Sequence, residues 1–140
     1  MTKKFKILGK YIKDMSSETK DTETFIFVKE HISRYQLDIN INSKAIKNKM
    51  IEINTIMKFE DKQEAKHKSY FEITFGIVVQ INDEVKEKKE LERIIICDVQ
   101  SEIYPYLEKS FLDMLHNSGY PNIKFEKKID FEKLYNQRFN

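Results

Sequence analysis

The stretch YQLDININSKAIKNKMIEINTIMKFEDKQEAKHKSYFEITFGIVVQI, residues 35–81, decides the fold. In its first segment Tyr35, Leu37, Ile39 and Ile41 fall on one side and Gln36, Asp38, Asn40 and Asn42 on the other. That period of two makes a strand with one buried face. After the turn AIKNKM, Ile51, Ile53, Thr55, Met57 and Phe59 share a face opposite Glu52, Asn54, Lys58 and Glu60, which predicts a second strand. The charged run from Asp61 to His67 leads to a third, with Phe71, Ile73, Phe75, Ile77, Val79 and Ile81 facing one way and Tyr70, Glu72, Thr74, Gly76 and Gln80 the other. Polar connections this short cannot carry a parallel crossover, so the three strands form an antiparallel meander.

Upstream, Phe5, Ile7, Gly9 and Tyr11 alternate with Lys6, Leu8, Lys10 and Ile12, which predicts a strand over residues 5–12 and a sheet of four. The polar run KDMSSETKDTET, residues 13–24, reads as a surface crossover anchored by Phe25, Phe27 and Val28. Downstream the period changes. NDEVKEKKEL, residues 82–91, reads as a short or irregular helical piece before Ile94, Ile95, Ile96 and Cys97. From Ser101, Ile103, Tyr104, Leu107, Phe111, Leu112, Met114 and Leu115 recur at helical spacing, with Pro105 in the first turn and Asn117-Ser118-Gly119 as a stop. An extended stretch over 122–128 precedes a last helix with Asp130 as N-cap and Phe131, Leu134 and Tyr135 as its apolar residues. The class is α+β, a four-stranded antiparallel sheet with C-terminal helices packed on one side, in a single domain over residues 1–140.

Composition narrows the function. The 25 Lys and Arg against 23 Asp and Glu are interspersed and leave a formal charge of +2, which is no polyanion-binding signature and argues against nucleic acid as a partner. No apolar run approaches the roughly 20 residues that span a bilayer, and the single Cys97 cannot form an intramolecular disulfide. A cytoplasmic protein without membrane insertion is expected. Three Gly in total offer no phosphate-cradling loop. His31, His67 and His116 lie apart, without metal-ligand spacing, and read as surface residues. Cys97 behind three Ile reads as a buried structural thiol. No catalytic, cofactor or metal site is expected, and a small enzyme or a nucleic-acid module stacking bases on the sheet is the weakest reading. Leu8, Ile12, Met50, Ile56 and Tyr70, on faces opposite the main apolar rows, leave apolar area for a partner.

The order of elements and four local strings resemble the bacterial export chaperone family SecB. YIKDMSSE, residues 11–18, is similar to that family's Tyr-x-Lys-Asp-x-Ser-x-Glu stretch, and YQLDIN, residues 35–40, to its second strand. EIYPYLEKSFLDMLHNSGYPNIKFEKKIDFEKLY, residues 102–135, resembles the family's Phe-Pro-Tyr helix, its Gly-x-Phe/Tyr-Pro turn and its final Asp-Phe-x-x-Leu-Tyr/Phe helix. The resemblance implies a homotetramer, a dimer of dimers. Such an assembly holds unfolded preproteins translocation-competent without ATP and delivers them to the SecA motor. It implies a SecA contact at Asp14, Glu18 and Glu72 with Tyr70 as apolar neighbour, carboxylates suiting a basic, zinc-bearing SecA tail. It implies client binding at Tyr35, Leu37, Ile39 and Phe131, each equally suited to the core. The chain departs from the family pattern in its basic pI near 8.5, in lacking the Asn-Ala-Pro and Trp of the crossover, and in reading YPYLEKSF without the usual Arg. These departures keep a second reading open, a SecB-like chaperone dedicated to one client such as an antitoxin, without SecA delivery.

Overall fold

The computed structural model describes residues 4–125 and 128–139. Strand β1 (Phe5–Glu18) leads into helix α1 (Thr22–Glu30) and a short 3₁₀ turn (Ile32–Arg34). Strands β2 (Tyr35–Ala45), β3 (Met50–Asp61) and β4 (Tyr70–Ile81) follow. After them come α2 (Lys88–Arg93), a π-helical turn (Ile94–Asp98), α3 (Val99–Asn117) and α4 (Phe131–Phe139). The sheet is antiparallel throughout, in the order β1-β4-β3-β2.

The alternation in residues 51–81 translates directly into burial. Ile53 and Met57 on β3 and Ile73, Phe75 and Ile77 on β4 are sealed beneath α3, where Ile103, Leu107, Phe111 and Leu115 complete the core. One polar pair lies within it. Thr55 Oγ1 and Gln100 Nε2 are 2.8 Å apart, and each side chain satisfies the other where no water reaches. The β2–β3 connection turns through Asn48 and Lys49, both left-handed at φ 58° and 61°. Asn accepts that conformation readily and Lys does so only under constraint.

Three expectations need correction. The first strand does not stop at Ile12 and does not keep its phase. Its register against β4 slips at Leu8 and again at Lys13, so each is an extra residue opposite a shared partner position. The first bulge turns Gly9 and Tyr11 to the outer face of the sheet, where Tyr11 lies over Gly76, and brings Lys10 and Ile12 to the helix side. A Cβ on Gly76 would meet the Tyr11 ring at 2.4 Å, so that close crossing needs glycine. The second bulge restores the original phase, and Asp14, Ser16 and Glu18 again face outward opposite Thr74, Glu72 and Tyr70.

The polar crossover holds a helix as well as the end of a strand. Asp21 caps α1 by accepting from the Thr24 amide at 2.8 Å, and Val28 and Thr24 are buried beneath it. Pro105 lies well inside α3 rather than in its first turn. The carbonyl four residues back, that of Ser101, loses its donor, but both residues are exposed and water can satisfy it. The expected stop is realised as a Schellman closure: the Tyr120 amide donates to Leu115 O at 3.2 Å and the Gly119 amide to His116 O at 3.2 Å. Gly119 has φ 112°, and a side chain there would strike Phe25. Asp130 caps α4 by accepting from the Lys133 amide at 3.0 Å.

Candidate functional site: an apolar cleft and an acidic sheet face

A cleft of about 970 Å³ opens between the start of β2 and the chain that follows α3. Tyr35 and Phe59 form its floor, with ring centroids 5.5 Å apart, and Phe125 closes edge-on over Phe59 at 5.8 Å. Leu37, Ile32, Ile123 and Ile129 line the walls. Tyr35 is held in place because its hydroxyl accepts from the Ser69 amide at 3.1 Å, and burial pushes its phenol pKa up. It therefore presents a neutral aromatic surface.

The main chain beside this cleft is the free edge of the sheet. The Ile46 amide bonds across to Met50 O, which sets the even-numbered residues of β2 pointing toward β3. The odd-numbered ones point outward. In agreement, the Tyr35 amide donates to Ile32 O and Ile41 O accepts from Arg138 of α4 at 2.5 Å. Between those two closures, Leu37 and Ile39 direct their amides and carbonyls to the open edge.

Of the four residues expected at a client surface, the structure brings Tyr35 and Leu37 together in the cleft. Ile39 lines a neighbouring pocket of about 230 Å³ under α4, with Leu134 and Arg138. Phe131, buried to the same degree as Tyr35, packs edge-on against Tyr104 at 5.5 Å and lies outside this cleft. Sequence reasoning missed Ile32, Phe59, Ile123, Phe125 and Ile129. Only Phe59 had a periodic signal, and it pointed to the core alone.

The four residues expected at an acidic contact lie together on the outer face of β1 and β4. Glu18 stands opposite Tyr70, and Ser16 opposite Glu72. The Tyr70 hydroxyl donates to Glu72, and that bond, then partial burial and the charges of Glu72, Glu18 and Asp14, push the Tyr70 pKa up to about 12. Tyr70 thus stays a donor at any physiological pH. Two lysines border the group. Lys58 pairs with Glu72 at 3.5 Å, and Lys13 with Glu52 at 2.8 Å. Among the described residues, Asp14 and Glu18 make no ion pair and are exposed.

The candidate reactive groups are occupied structurally. Cys97 is buried and donates to Phe131 O at 3.5 Å, and its burial raises the thiol pKa. The histidines, expected at the surface, are half-buried and bonded. His31 Nδ1 donates to Phe27 O at 2.8 Å, His116 Nε2 to Ile123 O at 2.9 Å, and His67 Nδ1 meets Thr24 Oγ1 at 3.2 Å. Among the described residues no three His, Cys, Asp or Glu side chains gather where they could share a metal ion. None of the described helices is long and apolar enough to cross a membrane.

Comparison with known proteins agrees with this architecture. The family model of the preprotein translocase subunit SecB matches residues 1–140. A Pelagibacter ubique (strain HTCC1062) protein named "Putative protein-export protein SecB" is 58% identical over 140 residues, covering 100% of both chains. The protein-export protein SecB of Methylocella silvestris is 23% identical, covering 93% of this chain and 79% of that one. Among solved structures, a Mycobacterium tuberculosis SecB-like chaperone in complex with a ChAD peptide from the HigA1 antitoxin shares the fold. Its TM-score is 0.63 at 11% identity, covering 89% of this chain and 91% of that one.

Proposed function

Since the chain belongs to the SecB family of protein-export chaperones, we propose that it is a holdase that binds unfolded preproteins in the cleft beside β2 and delivers them to SecA. The observation that carries this reading is the apolar cleft lying along an unpaired strand edge. An unfolded segment has apolar side chains and unsatisfied main-chain groups at once. The aromatic floor takes the first, and Leu37 and Ile39 offer partners for the second by strand addition. Tyr35, Leu37 and Ile39 are the client residues in this account, and Phe131, the first residue of α4, anchors that helix against Tyr104.

Asp14, Glu18 and Glu72, with Tyr70 holding Glu72, form the contact for the basic, zinc-bearing SecA tail. Asp14 and Glu18, exposed and without an ion pair among the described residues, keep their charge available to such a tail. The assembly is a cytoplasmic homotetramer, a dimer of dimers, and the exposed apolar side chains of β1, Leu8, Ile12 and Met15, supply part of its contact area. Neither a cofactor nor a catalytic group takes part.

Light scattering with and without an excess of a slowly folding precursor, followed by a SecA C-terminal peptide, tests the reading. A tetramer that takes up the precursor and then binds the peptide is expected. A tetramer that takes up the precursor and ignores the peptide supports a chaperone dedicated to one client, and a monomer indifferent to both overturns the proposal.

A further inference from the structure

The side of the cleft away from β2 is one continuous run of chain. Residues 119–125 all line it, and they belong to no helix or strand. The near end of this wall is fixed where α3 closes, through the Gly119 and Tyr120 amides. The far end is fixed by packing, since Phe125 stacks on Phe111 of α3 with centroids 6.0 Å apart and stands edge-on to Phe59. Between those ends the main chain has two hydrogen bonds among the described residues. The Ile123 amide donates to Tyr120 O at 3.3 Å, a contact inside the run itself. The Ile123 carbonyl accepts from His116 Nε2 at 2.9 Å. That second bond is the polar tie that joins the middle of the wall to the rest of the fold. His116 comes from the last turn of α3, is half-buried, and stands outside the cleft lining.

We propose that His116 is a positioning residue of the client cleft: its imidazole N–H holds Ile123, and with it the wall between Tyr120 and Phe125, in place before a client arrives. This inference rests on the client-holding reading above and adds a residue to the same site. An irregular run has no ladder of its own, so each fixed contact removes conformations that a bound client would otherwise have to exclude. A wall already in place leaves more of the apolar contact to hold the client. Without the imidazole, Phe125 keeps its ring contacts, but the Ile123 carbonyl loses its partner on α3 and the chain between Tyr120 and Phe125 is free to move. His116 thus acts through Ile123 and touches no client itself.

The test uses the full-length protein with His116→Phe, which keeps a ring and removes the donor, and His116→Gln, which returns an N–H at similar reach. Circular dichroism and urea midpoints first establish that both variants are folded under the assay conditions. A fluorescently labelled peptide with an aromatic and aliphatic core is then titrated by anisotropy. Limited tryptic cleavage after Lys124, an exposed residue of the wall, reports the freedom of the wall without any client. His116→Phe is expected to bind the peptide about three- to tenfold more weakly than the wild type, the worth of one hydrogen bond, and to be cut faster after Lys124. His116→Gln should return the affinity to within about twofold of the wild type and slow the cleavage again. A purely structural His116 would lower the urea midpoint and leave the affinity of the folded protein unchanged. That result, a Gln variant as weak as the Phe one, or weaker binding with cleavage after Lys124 unaltered would overturn the positioning role and leave client holding intact. A wild type that binds no peptide would overturn both, whatever the cleavage shows.

Discussion

Asp61 shows how much a single side chain can fasten. One carboxylate oxygen accepts from Arg34 Nε and Nη2 at 3.0 and 2.6 Å, and the other from the Gln63 amide at 3.0 Å, tying the turn before β2 to the end of β3. The Arg34 guanidinium holds the Asp61 carboxyl below the usual carboxylate range. A depressed folded pKa stabilises the protein fully above the unfolded value of about 3.9, and the contribution is lost as pH falls through the folded pKa. Urea midpoints at about pH 6 and about pH 3 should therefore drop further for the wild type than for Asp61→Asn; equal drops would remove Asp61 from the acid transition. Glu72 has a different role for its charge. Lys58 neutralises part of it from the neighbouring strand, at 3.5 Å and with its own amine largely in solvent. If the acidic face receives a basic tail, Lys58 competes with that tail. Lys58→Ala should tighten a SecA C-terminal peptide about two- to fivefold in calorimetry, and Glu72→Gln should weaken it. Opposite signs in both variants would put the contact elsewhere.

Among the elements, α3 is fixed on the sheet by shape and by one polar coincidence. Gln100 and Thr55 have no other outlet in a dry core, so losing one strands the other. Gln100→Ala should cost about 1–3 kcal/mol in chemical denaturation, whereas Thr55→Val with Gln100→Leu should recover most of it, since replacing both partners by apolar groups removes the unmet polar atom. A double variant as unstable as the single would show that the pair does more than satisfy itself. The same distinction between periodic and particular explains what the sequence discloses. Strands β3 and β4 are legible because one face is buried along their whole length, and β2 because its apolar residues from Tyr35 to Ile41 alternate with polar ones. The second half of β1 is not, because bulges at Leu8 and Lys13 break the period and its outward residues, Asp14, Ser16 and Glu18, look like those of a loop. Helix α1 hides for a related reason: only Thr24 and Val28 are fully buried, too few to write a stripe. Ile94 to Cys97 are buried all together, so the π-helical turn joining α2 to α3 has only Asp98 exposed and no alternation from which to read a period. Of the acidic face, Asp14 and Glu18 lie in the string YIKDMSSE that carries the family resemblance, whereas Tyr70 and Glu72 follow from the resemblance alone. The cleft was only half legible, because Phe125 and Ile129 come to it from an irregular segment whose spacing carries no geometric instruction.

For the whole molecule, the exposed apolar side chains are concentrated on one outer strand. Met15 is 56% exposed, Leu8 45% and Ile12 43%, all on β1, whose far edge pairs with no strand among the described residues. An edge so dressed invites association. Ile12→Lys with Met15→Lys should lower the mass measured by light scattering while leaving the circular-dichroism spectrum in place; an unchanged mass would clear β1 of any part in assembly. At the opposite edge the opening is deliberately short. The Tyr35 amide is taken by Ile32 and the Ile41 carbonyl by Arg138, so between those two closures a strand laid there pairs with Leu37 and Ile39, the edge reopening only at Ser43 and Ala45. Each such hydrogen bond contributes only about 1 kcal/mol net, and a handful of them cannot give a long residence. On the proposed holdase reading, Arg138 would then limit dwell time: a captured chain would let go often, its fate set by a race between recapture, folding and transfer that needs no energy source to keep it running.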